Sequence, residues 1–213
     1  MFYTSQNLPI VVQNRKIERR YRIFDILVAV LALCISAPIL LLVAICIKIL
    51  DWKAPVFFKQ RRIGKYGKSF MMYKFRSMQV DAEKQKDAIQ SQNEMSGPMF
   101  KMENDPRITK LGKWLRKFSI DEFPQFINVL QGDMSCVGPR PPLPEEVREY
   151  ETRHLERLGV KPGCTGLWQV SGRNQLSFEE MVELDITYIK NRSIRLNIQI
   201  ILRTFKELLG KGM

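Results

Sequence analysis

Residues 26–47 form a run of 22 positions without a charge, ILVAVLALCISAPILLLVAICI. At about 1.5 Å of rise per residue, a straight helix of that length roughly crosses a bilayer core. Ser36 and Pro38 lie near its middle, and a proline inside a helix removes one hydrogen bond and bends it. Both flanks are basic: Arg15, Lys16, Arg19, Arg20 and Arg22 precede the run, and Lys48, Lys53, Lys59, Arg61 and Arg62 follow it. The positive-inside rule places either flank in the cytoplasm, and a single span cannot satisfy both. The expectation is therefore a re-entrant helix-break-helix over residues 20–50, broken at Ser36 and Pro38, with both ends on the cytoplasmic face. An ordinary single span is the alternative. Residues 1–19 are expected to be a short basic leader rather than part of a cleaved signal.

Beyond the apolar run the periodicity shortens and then lengthens again. Residues 55–60 read as a strand, 64–67 as a turn and 69–76 as the returning strand of a hairpin. Residues 79–106 are polar, with a helix expected over 81–92 and then an irregular stretch, NEMSGPMFKMENDP. A loop of that length inside a compact domain is usually functional or mobile. Leu111, Trp114, Leu115 and Phe118 recur at i, i+3, i+4 and i+7, which gives a helix one apolar face beside a lysine- and arginine-rich one. Residues 194–209 repeat the mixture, with Ile, Leu and Phe among Arg195, Arg203 and Lys206, as in a basic helix lying on anionic lipid. The fold class expected is α+β, mostly helical. It comprises the re-entrant membrane helix and one cytosolic catalytic domain, residues 51–213, with a small β-hairpin and amphipathic interfacial helices.

Composition narrows the chemistry. The 213 residues carry 34 Lys and Arg against 22 Asp and Glu, a net charge of +12, which implies an anionic partner. Nucleic acid is the weakest choice, because the basic residues spread around a membrane anchor and form no recognised module. Cys34, Cys46, Cys136 and Cys164 contain no C-x-x-C, and with His154 as the one histidine a zinc site is not expected. The four cysteines read as small buried residues in a reducing compartment. His154 reads as a surface or packing residue, so nucleophile systems that need histidine are disfavoured. Gly67-Lys68-Ser69 imitates the end of a phosphate-binding loop, but the required first glycine is replaced by Arg62.

The pair Asp121-Glu122 is the strongest chemical candidate. Lys110, Lys113, Arg116 and Lys117 precede it, and the stiff loop Gly138-Pro139-Arg140-Pro141-Pro142 follows. Neighbouring carboxylates among cations suit Mg²⁺ and a phosphorylated substrate. A structural role competes: Ser119-Ile120-Asp121-Glu122 matches a capping box. With Ser119 as cap, Pro124 would fall beyond the first turn; with Asp121 as cap it falls inside it. Either way the pair is expected at a helix N-terminus, where a carboxylate stays ionised and phosphate is favoured. Arg140, Arg173 in Ser171-Gly172-Arg173-Asn174, and Lys74 with Arg76 at the hairpin end supply cations that can grip phosphate.

Four stretches then occur in order: RIFDILVAVLALCISAP, VFFKQRRIGKYGKSFMMYKFRSM, SIDEFPQFINVLQGDMSCVGPRP and KPGCTGLWQVSGRN. Together they resemble the bacterial sugar transferases, monotopic phosphoglycosyl transferases of polysaccharide synthesis, over roughly residues 20–205. The resemblance implies transfer of a sugar-1-phosphate from a UDP-sugar to undecaprenyl phosphate at the bacterial cytoplasmic membrane. It further implies Asp121 as nucleophile, Glu122 as the Mg²⁺-associated carboxylate, and Lys74, Arg116, Arg140 and Arg173 as substrate- or phosphate-binding residues. The family's helix break falls on Ser36 and Pro38. The loop NEMSGPMFKMENDPR and the stretch from Trp168 to Arg173 resemble members that handle glucose or galactose. Two departures concern anchoring: Asn197 follows Leu196 where members often carry Asp, and Tyr21 stands where they carry Lys or Arg. The large N-terminal membrane domain of some members is expected to be absent. Anionic lipids are expected as further partners, and a homo-oligomer is left open. A non-catalytic membrane scaffold is the alternative reading, and a damaged dyad or lost loop arginines would be its mark.

Overall fold

A computed structural model describes residues 15–85, 88–89, 93–94, 97–99, 102, 104–172 and 175–210 of the chain. The uncharged run lies within one long helix, α1 (Arg15–Leu50), long and apolar enough to cross a membrane by length and composition. The expected break takes another form: the helix continues through Ser36 and carries Pro38 within it. Proline withdraws one backbone donor there, and the Ser36 hydroxyl donates to the Ala32 carbonyl at 2.6 Å. Along α1 the apolar side chains Leu27, Leu31, Ile35, Leu41, Leu42 and Ile49 stay exposed.

The first half of α1 is clamped by polar bonds. Arg22 donates to the carbonyls of Val129 and Leu130, which end the short helix α3 (Gln125–Gln131). Such terminal carbonyls lack helical partners, and a guanidinium satisfies them and complements the helix dipole. Asp25 accepts from the Ser135 hydroxyl and the Cys136 N–H, both at 2.9 Å. Glu18 and Tyr21 hold Arg192, which pairs with Glu18 at 2.9 Å and stacks 3.8 Å from the Tyr21 ring centre. The second half of α1 packs Val43 and Ile47 against Phe75 and Leu115. Both halves thus rest on the same body of protein.

That body begins with a hairpin close to expectation. β1 (Phe57–Ile63) pairs antiparallel with β2 (Ser69–Phe75), Phe57 opposite Phe75 and Ile63 opposite Ser69. Its turn places Tyr66 at φ 58 and Gly67 at φ 74. The helix expected over 81–92 does not form at 81–85, where turns carry the backbone; most of its second half lies outside the described residues. Instead Arg107 organises this region: it grips Asp105 and donates to the Ala82 carbonyl at 3.1 Å. The next helix, α2 (Lys110–Lys117), is capped by Thr109, whose side chain accepts from the Gly112 N–H at 2.9 Å. Gly112 lies so near the chain that a Cβ there would stand 1.8 Å from the Ser77 carbonyl oxygen. That contact, open only to glycine, sets α2 down on residue 77.

The remaining elements close the domain. β3 (Ser135–Val137) and β4 (Gly163–Thr165) pair in parallel, joined by the arginine-bearing proline loop and α4 (Pro144–Arg148). α5 (Phe178–Asn191) is capped by Ser177 and Glu180, and α6 (Ile194–Gly210) follows. Asn197 on α6 is fully buried, its Oδ1 2.9 Å from the Tyr188 hydroxyl, which lies equally near the Val137 carbonyl. Tyr21 thus ties α1 to Arg192, and Asn197 ties α6 to α5 through a neutral Tyr–Asn bond. On the opposite side of α6, Ile198, Leu202 and Phe205 are exposed. His154 is buried between Tyr150 and Phe178 and reaches Glu179, a packing role. All four cysteines are free, but only Cys136 is buried. Cys34 lies exposed on α1.

Candidate functional site

The dyad departs from both capping schemes. Ser119 adopts the left-handed conformation, φ 54 and ψ 24, and its side chain caps nothing. Ile120, Asp121 and Glu122 form a separate 3₁₀ turn, and α3 begins only at Gln125 behind Pro124. A capping box needs extended backbone at the cap residue, which Ser119 does not supply. Non-glycine residues avoid this region at a cost of order 1–3 kcal/mol and occupy it chiefly where the surroundings demand it. Here the kink turns Asp121 inward, where it is 5% exposed.

Lys74, at the penultimate position of β2, reaches across to the turn and pairs with Glu122 at 2.5 Å. Its strand is fixed by Asn128 of α3. The Asn128 amide accepts from the Tyr73 N–H at 3.0 Å and donates to the Met71 carbonyl at 2.7 Å, imitating a neighbouring strand along the free edge of β2. Arg116, at the end of α2, is oriented by a 2.9 Å bond from Nε to the Ser77 hydroxyl. Lys74, Arg116, Asp121 and Glu122, all expected at the site from the sequence, line one cavity of about 470 Å³.

The far walls of that cavity are apolar. Val28 and Ala32 come from α1, Phe123 and Phe126 from the dyad's own segment, and Ile201 and Phe205 from α6. A second cavity, about 190 Å³, adjoins it and shares Lys74, Glu122, Cys164, Trp168 and Gln169. Arg140 lines this one, held by Glu146, whose carboxylate lies 3.0 Å from it. Arg173 lies outside the described residues. Arg62, which the sequence reading treated only as part of a basic flank, lines the second cavity and is 7% exposed. The period of a strand puts Phe58, Gln60 and Arg62 on one face, the one signal that could have singled it out.

Burial and charge drive the two carboxyls apart. Burial pushes Asp121 above the usual aspartate range, with Lys74 pulling back and Glu122 adding to the rise. The helix terminus expected beside Asp121 does not form there, and desolvation is the largest influence on its proton affinity. Burial also acts against Glu122, but Lys74, Arg140 and Arg62 outweigh it and hold that carboxyl below its ordinary value. Two adjacent carboxyls with opposite shifts suit separate roles. Among the described residues, no group of three or more His, Cys, Asp and Glu is placed to hold a metal ion.

Because the folded chain holds a proton on Asp121 more tightly than the unfolded one, that carboxyl favours folding below the unfolded value of about 3.9. The advantage is lost as pH rises through the folded value. Asp121→Asn is therefore expected to melt at or above the wild-type temperature at neutral pH. The gap should narrow towards about pH 4. Thermal unfolding across that range checks it, and a lower melting temperature at neutral pH would contradict the burial argument.

A family model described as bacterial sugar transferase matches residues 17–211. The galactosyl transferase CpsE of Streptococcus agalactiae serotype III is 56% identical over 160 residues, 74% of this chain and 36% of the relative. The undecaprenyl-phosphate galactose phosphotransferase of Salmonella typhimurium is 38% identical over 98% of this chain and 45% of its own length. The exopolysaccharide production protein ExoY of Rhizobium meliloti is 38% identical over 86% of this chain and 82% of its own. The chain thus spans less than half of the first two relatives and most of the third.

Proposed function

The chain belongs to the bacterial sugar transferase family, and on that premise we propose that it transfers a sugar-1-phosphate from a UDP-sugar to undecaprenyl phosphate, releasing UMP. The product would begin a polysaccharide repeat on its lipid carrier. One observation carries the reading: a buried aspartate beside a Lys–Glu pair, where an apolar cavity meets a cationic one. A lipid phosphate and a sugar nucleotide differ in just this way, and a shared wall lets them use one nucleophile in turn.

In the first step an Asp121 carboxylate oxygen attacks the sugar-side phosphorus. The bond from that phosphorus to the bridging oxygen breaks, and UMP leaves with the electron pair. In the second step an oxygen of the lipid phosphate attacks the same phosphorus and returns the carboxylate. Desolvation makes the Asp121 carboxylate more reactive once ionised, and Lys74 beside it offsets the charge of the incoming diphosphate. Arg116 and Arg140 add fixed positive charge on either side. Mg²⁺ fits this donor set, because it commonly takes one or two carboxylates together with substrate phosphate oxygens. Glu122, kept ionised by its cations, would hold it with the substrate, and the ion would offset diphosphate charge.

The contacts of α1 support a re-entrant arrangement. Arg22 and Asp25 hold one end to the domain, and Val43 and Ile47 pack the other end onto it. A helix inserted with both ends on the cytoplasmic face satisfies both attachments, and Pro38 gives it a place to bend. The exposed apolar faces of α1 and α6 would then lie in lipid, their basic residues towards anionic headgroups. Cysteines placed singly within residues 15–20 and 51–54 should react with an impermeant reagent only from the cytoplasmic side. Labelling of the first set from outside would sink this topology.

The names of two relatives favour galactose, and a hexose, glucose or galactose, is the donor proposed here. With undecaprenyl phosphate and a panel of UDP-sugars, the wild type should release UMP from a UDP-hexose. Asp121→Asn should lose that release by about a thousandfold or more while remaining folded and membrane-bound. Substantial activity in the variant would remove Asp121 from the role.

A further inference from the structure

The second cavity contains more cation than the dyad alone calls for. Arg62, Lys74 and Arg140 line it, against Glu122 as its one lining carboxylate. Glu146 is fully committed behind Arg140, to which it pairs while also accepting from the Leu143 N–H at 2.9 Å. Among the described residues, no carboxylate pairs directly with Arg62. Its Nε and one terminal nitrogen bond the Gln60 amide oxygen at 3.1 and 2.6 Å, and the other terminal nitrogen bonds the Pro141 carbonyl at 2.9 Å. These bonds use three of its five N–H donors. Burial and the nearby Arg140 pull its pKa down to about 9, against the opposing pull of Glu146, Glu122 and Glu145.

A second orphan sits on the same wall. Trp168 is 8% exposed, lines both cavities, and its indole N–H has no hydrogen-bond partner among the described residues. A buried donor left unpaired is costly to the fold. Arg62, Arg140 and Trp168 thus line a small space bounded by the Lys74–Glu122 pair.

We propose that the cavity between Arg62, Arg140 and Trp168 binds the nucleotide-side phosphate of the donor, with Arg62 as a direct phosphate contact. The assignment rests on the sugar-transferase reading for the nucleotide and on the cavity for the phosphate. The lipid phosphate is the other source of the same chemistry, but the apolar walls belong to the first cavity. The rigid bonds to Gln60 and Pro141 orient the guanidinium beforehand, so little side-chain entropy is lost when phosphate arrives.

The test measures binding of UMP and of farnesyl phosphate separately, by calorimetry on the full chain in nanodiscs. Arg62→Gln is expected to weaken UMP by about 10- to 100-fold and leave farnesyl phosphate unchanged. Arg62→Lys, which keeps the charge without the planar fork, should fall between. It carries the test if the glutamine variant does not fold, and melting temperatures taken alongside separate a phosphate contact from a purely structural one. Unchanged UMP affinity in a folded variant, or a loss confined to farnesyl phosphate, would overturn the proposal. So would a wild type that releases UMP from a UDP-sugar yet shows no UMP binding, a result that leaves the transferase reading standing. Arg62-dependent UMP binding in a protein that transfers no sugar phosphate would do the reverse, supporting the pocket and removing that reading.

Discussion

The Lys74–Glu122 bridge is the constraint around which the site is arranged. It joins a strand of the hairpin to the turn that carries the dyad, and both cavities open against it. For the bridge to form, β2 must lie at a fixed height beside α3, and Asn128 sets that height by bonding the strand edge as another strand would. α3 in turn is held at its C-terminal carbonyls by Arg22 of α1. The long apolar helix α1, the helix after the dyad, the hairpin and the acidic pair therefore form one mechanical series. Loss of any member would be felt at Asp121.

That series also explains why the aspartate is costly to the fold. A carboxyl 5% exposed, against Phe123 and Phe126 and beside another acid, is a poor choice for stability. Ser119, in a backbone conformation that serine disfavours, adds strain at the same point. Both features turn a carboxyl towards an apolar cavity and away from water. Sites in which local preference and structure disagree are where function is expected.

Much of this was legible in the chain. The hairpin, α2 and α6 emerge within a few residues of their observed limits, because each has a periodicity that its burial respects, whereas α1 begins well before the uncharged run and continues through the expected break. The dyad and its cations were legible as residue types; their opposite shifts were not. Both capping schemes for Ser119 failed because local spacing cannot reveal a left-handed residue imposed by packing on either side. Residues 81–85 form turns rather than the start of a helix because Arg107, more than twenty positions away, takes the Ala82 carbonyl. Arg62 escaped notice as one of several flanking cations. Only the closure of the proline loop over β1, with Ile63 N–H donating to the Pro142 carbonyl at 2.9 Å, turns it from a flank residue into a cavity wall.

The proposed chemistry makes Asp121 carry the phosphosugar between two substrates that never need to meet. Intact-mass measurement of the wild-type protein after incubation with a UDP-hexose, Mg²⁺ and no lipid acceptor tests this most directly. The account predicts a species heavier by one hexose phosphate, mapping to the peptide that contains Asp121 and discharged when undecaprenyl phosphate is added. Full transferase activity with no such adduct at any time, in a protein that releases UMP only when lipid is present, would contradict it.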